Sequence, residues 1–133
     1  MILGVGTDIV IISSFQEQLL DSASTFSSAT FTPRELRDSQ QRSSVPARHL
    51  AARFAAKEAL LKAWSSSRWG LPPLLSCVNM LEIEVLLDAF GRPRLILHGQ
   101  LADALGSTRT HLSLSHDGDY ALAFVTLEVE HMP

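Results

Sequence analysis

The stretch that decides the fold is Ala47–Trp64, ARHLAARFAAKEALLKAW, near the middle of the 133-residue chain. Its residues are strong helix formers. With about 100° of rotation per residue, one side of the helix carries Leu, Phe and Trp, and a second side carries alanine. Two sides without charge predict a helix that is buried over most of its circumference. Because alanine is small, we expect another element to pack closely against the second side.

Short strands are predicted before and after this helix. In the first of them, Gly4 and Gly6 leave the side that carries Asp8 nearly bare, so a ligand or another backbone can approach it closely. A hairpin turn is indicated at Asp117-Gly118-Asp119. The predicted strands cover residues 2–12, 81–87, 94–98, 110–115 and 120–129.

Short helices complete the prediction. Thr32, followed by Pro33 and Glu35, has the pattern of a capping box at the start of a helix. Other short helices are predicted at 15–20 and 100–105, and residues 65–80 are predicted to form an ordered loop. We therefore expect residues 1–133 to form one α+β domain, with a mainly antiparallel sheet packed against one long helix and several short ones.

Composition excludes several classes of protein. A hydrophobic share of 46% excludes an intrinsically disordered chain, and apolar runs of only a few residues exclude a membrane span. A net charge of −3 argues against a general nucleic-acid coat. The single cysteine allows no intrachain disulfide, as is typical of the cytoplasm. Eight of the 11 Lys and Arg residues nevertheless lie within residues 34–68, which is compatible with a local anion site.

The charged residues of the long helix have simple interpretations when they are taken singly. Glu58 and Lys62 lie four residues apart, as in an exposed ion pair. Lys57 lies within an apolar stripe, and its amine is expected to reach past that stripe to water. Asp8 has the spacing of a strand-end residue that caps a turn, although its bare side of the strand favours a ligand.

Taken together, these residues suggest a site for a metal ion and a phosphate. Magnesium prefers one or two carboxylates together with phosphate oxygens and water. Asp8 and Glu58 are therefore candidate metal ligands, and Arg53 and Lys62 are candidate phosphate partners.

Two histidines bracket the strand HLSLSH. His111 and His116 are five residues apart, so on a regular strand they point to opposite sides, unless the following turn bends the second one back. Each histidine is more often structural than functional. No Cys/His spacing suggests zinc, and neither a nucleophile elbow nor a glycine-rich phosphate loop is present.

Four blocks of the sequence resemble the holo-[acyl-carrier-protein] synthase family of phosphopantetheinyl transferases. They are GVGTDIV at 4–10, FTPRE at 31–35, LAARFAAKEA with the later Lys62 at 50–63, and HLSLSH with Tyr120 and Ala121 at 111–121. The resemblance implies a magnesium-dependent transfer of the phosphopantetheine arm of coenzyme A to a serine of an apo acyl carrier protein. Adenosine 3',5'-bisphosphate is the other product.

The resemblance also implies residue roles. Asp8 and Glu58 would bind magnesium, and Glu58, or a metal-bound water that it orients, would take the serine proton. Lys62 would contact the coenzyme phosphates and act in the transfer. The further coenzyme contacts would be Arg53, His111 and His116. Two other functions remain as alternatives: a regulatory module that binds a nucleotide or phosphate, and a hydrolase of the coenzyme A diphosphate.

Partners follow from the same resemblance. A chain of this length supplies one wall of the coenzyme cleft, so a homotrimer with sites at its subunit interfaces is implied, and residues 90–93 are a candidate contribution from the neighbouring copy. Residues 13–28 contain no Lys or Arg but include Glu17 and Asp21. The carrier is therefore expected to dock through apolar or polar contacts. This favours a carrier domain of a multidomain fatty-acid synthase.

Overall fold

The computed structural model describes residues 1–130, and these residues form five strands, five α-helices and one 3₁₀ turn. In chain order the elements are β1 (Ile2–Ile11), α1 (Ile12–Leu20), α2 (Phe26–Thr30), α3 (Pro33–Arg42), α4 (Pro46–Ser67), the 3₁₀ turn (Met80–Glu82), β2 (Ile83–Leu87), β3 (Pro93–Leu97), α5 (Gly99–Leu105), β4 (Arg109–Asp117) and β5 (Tyr120–Glu128).

The strands divide into two antiparallel sheets. In the larger sheet β5 lies between β1 and β4, and in the smaller one β2 pairs with β3. α4 packs on β1 and β5 along most of its length. The predicted α+β architecture with antiparallel strands and one long helix is present, but the strands form two sheets rather than one.

The bare side of β1 receives α4. A Cβ at Gly6 would overlap the backbone oxygen of Ala59, and one at Gly4 would overlap that of Ala63. The two glycines and the alanine side of the helix therefore let the two backbones come close together, as the sequence indicates. This close packing fixes the position of β1, and of the next inward-facing residue, Asp8, against α4.

Two apolar clusters hold these elements together. The larger one lies between α4, the two sheets and α5. The smaller one contains four phenylalanine rings with centroids 5.4–6.4 Å apart in the contacting pairs. These rings attach α1, α2 and the start of α3 to α4, and they belong to Phe15, Phe26, Phe31 and Phe54.

Some predicted boundaries are wrong. α4 continues to Ser67, so the loop after it is shorter than expected. The strand predicted from residue 81 begins at Ile83, after the 3₁₀ turn. Glu84 is buried and accepts a 2.7 Å hydrogen bond from the Thr32 hydroxyl. Thr32 caps α3 through the predicted capping box, so the cap also brings a donor to Glu84. Within residues 1–130, no helix is both long and apolar enough to cross a membrane.

Candidate active site

Three charged residues meet where β1 crosses α4. The Lys62 amine donates hydrogen bonds to a carboxylate oxygen of Asp8 at 2.8 Å and to the backbone oxygen of Thr7 at 3.1 Å. Glu58 lies one helical turn before Lys62, close enough to Asp8 for the two carboxylates to repel each other. Lys62 therefore forms its ion pair with Asp8 rather than with Glu58, the partner that the helix spacing suggested.

The environment of Glu58 disfavours a negative charge. Burial is the main reason that the pKa of Glu58 lies above its usual value, and the charge of Asp8 adds to it, while Lys62 opposes both. A second positive charge placed between the two carboxylates would relieve this repulsion.

The donor set fits magnesium better than zinc. Within residues 1–130, no three His, Cys, Asp or Glu side chains converge on a point. Structural and catalytic zinc sites need three or four such ligands. Magnesium needs only one or two carboxylates, because water and substrate phosphates complete its coordination. Asp8 and Glu58 are the residues that could hold it.

An open cavity of about 330 Å³ adjoins these carboxylates. Asp8 and Glu58 line it together with Phe54, and Ser14 and Gln18 of α1 form another wall. A side chain from another molecule that enters this cavity would therefore lie next to α1.

A second cavity, of about 240 Å³, lies elsewhere on the molecule and is rich in basic side chains. Arg48, His49, Arg53 and His116 line it, together with residues of the β2–β3 turn. Burial and the neighbouring Arg53 lower the pKa of His49 below its usual 6.5, which favours the neutral ring.

Arg53 is held rigidly at this second cavity. Its side chain is 3% exposed and pairs with Asp38, and one nitrogen lies 3.3 Å from the His49 ring. Its Nε is buried and has no partner among residues 1–130. An unpaired buried donor is costly.

The residues proposed to bind phosphate lie on different sides of α4. Arg53 and Lys62 are nine residues apart on α4, which corresponds to about 180° around the helix and about 13 Å along its axis. The structure therefore brings together Asp8, Glu58 and Lys62 but places Arg53 and His116 in a separate group.

His111 belongs to neither cavity. It lies on the opposite side of β4 from His116, as their spacing predicts, and its Nε2 is 2.7 Å from a carboxylate oxygen of Glu128. This hydrogen bond lowers the pKa of Glu128. His111 instead borders an open groove between β3 and β4, which Arg94 and Arg109 also line.

Comparison with known proteins identifies the family. Residues 4–125 match the model of the 4'-phosphopantetheinyl transferase superfamily. The chain belongs to this superfamily. It is 50% identical over 127 residues to the holo-[acyl-carrier-protein] synthase of Mycobacterium ulcerans, covering 96% of this chain and 97% of that protein. The family predicted from the four sequence blocks, and with it a phosphopantetheinyl transferase, is confirmed.

Solved structures of the superfamily have the same fold. A complex of an acyl carrier protein synthase with coenzyme A, described as from Chronobacterium ammoniagenes, superposes with a TM-score of 0.87 at 45% identity, over 96% of this chain and 98% of that one. The acyl carrier protein synthase of Mycobacterium tuberculosis superposes with a TM-score of 0.81, also at 45% identity, over 98% and 100% of the two chains.

A buried ion pair between Lys57 and Glu35, which the sequence did not predict, lies beside the site of this transferase. Lys57, expected to reach water, is fully buried, and its amine donates to Glu35 at 2.7 Å and to the backbone oxygens of Thr30 and Met80. One signal pointed to it: a lysine inside an apolar stripe must either extend to water or meet an acid. Glu35, known from the capping box, is that acid.

Proposed function

We propose that residues 1–133 form one transferase domain, which moves the phosphopantetheine arm of coenzyme A to a serine of an apo acyl carrier protein. The observation that carries this proposal is the convergence of Asp8, Glu58 and Lys62 beside an open cavity in a chain of this superfamily. The serine oxygen forms a new bond to the phosphorus that carries the arm. The bond from that phosphorus to the bridging oxygen breaks, and its electron pair leaves with adenosine 3',5'-bisphosphate.

The protein groups have distinct parts in this reaction. Asp8 and Glu58 would hold magnesium, which would supply positive charge to the diphosphate. The Lys62 amine, oriented by Asp8, adds a further positive charge at the same oxygens. Glu58, or a metal-bound water that it orients, would receive the serine proton.

The second cavity supports a shared site. Arg53 and His116 can offer positive charge to another phosphate of the coenzyme, but they lie on the far side of α4 from Lys62. Two copies can combine the Glu58 side of one with the Arg53 side of the next. Gly91 and Pro93 of the predicted neighbour loop also line the second cavity, which agrees with this arrangement.

The outer face of the larger sheet supports a homotrimer. Seven apolar side chains on it are 37–62% exposed and lie on neighbouring strands β1 and β5. An apolar face of this kind is typical of a surface that another protein covers. The seven residues are Leu3, Val5, Ile9, Ile11, Tyr120, Leu122 and Phe124.

The carrier approaches over α1, which forms one wall of the cavity beside Glu58. α1 carries Glu17 and no basic residue, so it attracts an acidic surface poorly. A carrier domain of a multidomain fatty-acid synthase, in the cytoplasm, fits this surface. We expect the KM for the carrier to change little with salt, because charge steering is the salt-sensitive part of docking.

The transfer is tested by mass spectrometry of the carrier after incubation with coenzyme A and magnesium. We expect the mass to rise by one phosphopantetheine unit, and Asp8→Asn and Glu58→Gln each to lower kcat by more than about 100-fold while the circular dichroism spectrum is kept. A carrier of unchanged mass, across several carriers, would contradict the proposal. Bisphosphate released without a carrier would indicate the hydrolase, and coenzyme binding without turnover the regulatory module.

The shared site is tested by mixing two inactive variants. Glu58→Gln and Arg53→Met damage opposite sides, so random trimers of both regain about one quarter of the intact sites. No recovery after unfolding and refolding the mixture would place the whole site within one copy. His116→Ala, which changes an exposed residue, replaces Arg53→Met if the latter does not fold.

A further inference from the structure

We propose that Asp38 of α3 is a positioning residue for coenzyme binding, which fixes the Arg53 guanidinium at the second cavity so that it can bind a phosphate. This inference rests on the proposed transferase function. It adds to that function a residue on a different helix, because Arg53 lines the second cavity and Asp38 does not. Asp38 acts on the coenzyme only through Arg53.

The chemistry of the transfer leaves one phosphate for this cavity. The diphosphate lies at the Glu58 side, where Lys62 is, and its 5'-phosphate leaves as part of adenosine 3',5'-bisphosphate. The 3'-phosphate of the ribose is the remaining phosphate of the coenzyme, and a cavity lined by basic side chains suits it. A guanidinium is planar, so it binds a phosphate well only when its nitrogens face the phosphate oxygens.

Contacts at two nitrogens hold the Arg53 guanidinium in one orientation. Nη2 pairs with a carboxylate oxygen of Asp38, which lies 15 residues earlier in the chain. Nη1 lies 3.3 Å from Nδ1 and 3.5 Å from the backbone oxygen of His49, one turn earlier on α4. Nη2 carries two protons, and within residues 1–130 Asp38 is its one acceptor. Its second proton therefore stays available to a ligand.

The Asp38 carboxylate is itself held in place. Its other oxygen accepts a 2.6 Å hydrogen bond from Nε of Arg42, one turn later on α3. The start of α3 is fixed by the capping box at Thr32 and by the buried ring of Phe31. The carboxylate therefore has a defined position before any ligand arrives, so little ordering cost remains for binding.

Asp38 also changes the charge around Arg53. Burial lowers the pKa of Arg53, and the charge of Asp38 is the strongest of the effects that oppose this. The same negative charge repels a phosphate. Removing a carboxylate that orients Arg53 should weaken phosphate binding, whereas removing one that only neutralises Arg53 should strengthen it. The two roles thus predict opposite signs, and the fixed guanidinium favours orientation.

The test compares coenzyme A with dephospho-coenzyme A, which lacks only the 3'-phosphate, in the carrier mass assay. The parent should prefer coenzyme A in kcat/KM by about tenfold or more, because the 3'-phosphate adds a charge-assisted hydrogen bond. Asp38→Asn should lose most of this preference through a higher KM for coenzyme A and keep its KM for the carrier. Adding Asp38→Asn to Arg53→Met should cost no further preference.

The matched control is Arg42→Met, which removes the other partner of Asp38 and should keep the preference. A general loss of stability would lower the rates with both coenzymes alike and leave their ratio unchanged. If Asp38→Asn does not fold, Arg53→Lys replaces it. Lysine keeps the charge but has one nitrogen in place of the planar fork, so the preference should again fall, and an unchanged preference would overturn the proposal.

The remaining outcomes separate this proposal from the proposed function. A parent that uses both coenzymes equally well, with normal transfer, would overturn the role of Asp38 and leave the transferase standing. An equal or greater preference in Asp38→Asn would also overturn it, as would a further loss in the double variant. Absence of any transfer would overturn both.

Discussion

Lys57 and Lys62 both lie on α4, but their ion pairs have different functions. Lys57 and Glu35 have fully buried side chains, whereas the side chain of Lys62 is 55% exposed and that of its partner Asp8 is 16% exposed. The Lys57 amine has three oxygen acceptors, so each of its protons is used. The Lys62 amine has two, and one of them belongs to Asp8, which lines the open cavity.

The partners of the two pairs differ as well. Glu35 also accepts hydrogen bonds from the backbone nitrogens of Thr32 and Val85, both at 3.0 Å. The closed pair thus connects α3, α4 and β2 and has no capacity left for a ligand. Asp8 instead faces a second carboxylate, Glu58, with one lysine between two negative charges. The closed pair is suited to holding the helix in place, and the open group is suited to binding a cation and a phosphate.

The largest expected effect comes from breaking the closed pair. Lys57→Met leaves the Glu35 carboxylate buried without its cation, and this should lower the free energy of unfolding by about 3–5 kcal/mol. Lys62→Met, at the exposed pair, should lower it by less than about 1 kcal/mol. Urea unfolding at one fixed protein concentration measures both. Among the molecules that remain folded, Lys62→Met should lower transfer activity more than Lys57→Met does.

A third variant checks the cause. Adding Glu35→Gln to Lys57→Met removes the orphaned charge and should recover part of the lost stability. Equal losses for Lys57→Met and Lys62→Met would show that burial does not distinguish the two pairs.

The next effect comes from the contact that places Asp8. Gly6→Ala adds a methyl group that overlaps the backbone oxygen of Ala59, and since that oxygen belongs to a helix it cannot turn aside. We expect a loss of about 1–3 kcal/mol or more, together with a strong loss of transfer because β1 shifts away from Glu58.

The control for Gly6→Ala is Gly118→Ala in the β4–β5 turn. Gly118 has a φ of +54° and open space around it, so an alanine costs about 1–2 kcal/mol of backbone strain without any overlap. Transfer activity should be kept there. A Gly6→Ala protein with normal kcat would mean that the close packing of β1 on α4 does not set the site.

The smallest expected effect is a gain in stability. Because the pKa of Glu58 is raised in the folded protein, its ionised form disfavours folding. This cost is present at neutral pH, declines as the pH falls toward the ordinary value of 4.5 and is absent below it. Glu58→Gln without magnesium should therefore raise the melting temperature at pH 7, by less and less toward pH 4.5.

Thermal unfolding over a pH series provides the measurement, with the exposed Glu17→Gln on α1 as a control that should change nothing. A Glu58→Gln protein that is less stable than the parent at pH 7 would mean that Glu58 contributes to folding rather than to the site alone.

Much of the fold could be predicted because it is encoded locally. The presence of α4, the capping box at Thr32 and the hairpin at Asp117–Asp119 each depend on residues adjacent in sequence. The packing of β1 on α4 was also predictable, since Gly4 and Gly6 leave space that only a close neighbour fills. Asp8, Glu58 and Lys62 could be grouped for the same reason: they lie on the two elements that this packing brings together.

Other features depended on residues far apart in the chain. Thr32 donates a hydrogen bond to Glu84 in the interior, although it lies 52 residues earlier in the chain. The apolar stripe predicted that the Lys57 amine reaches water, but it pairs with Glu35, which lies 22 residues earlier in the chain. Within one chain, Arg53 and Lys62 lie on opposite sides of α4, so a site that uses both needs a second copy of the chain.

The sequence by itself determined which segments are helices and strands, which backbones can come close, and which family the chain belongs to. Only the tertiary structure decided which charges are closed into the interior and which stay open to a ligand. The physical reason is that the energy of a charged side chain depends on its burial and its hydrogen-bond partners. For Lys57 and Glu84 those partners come from distant parts of the chain.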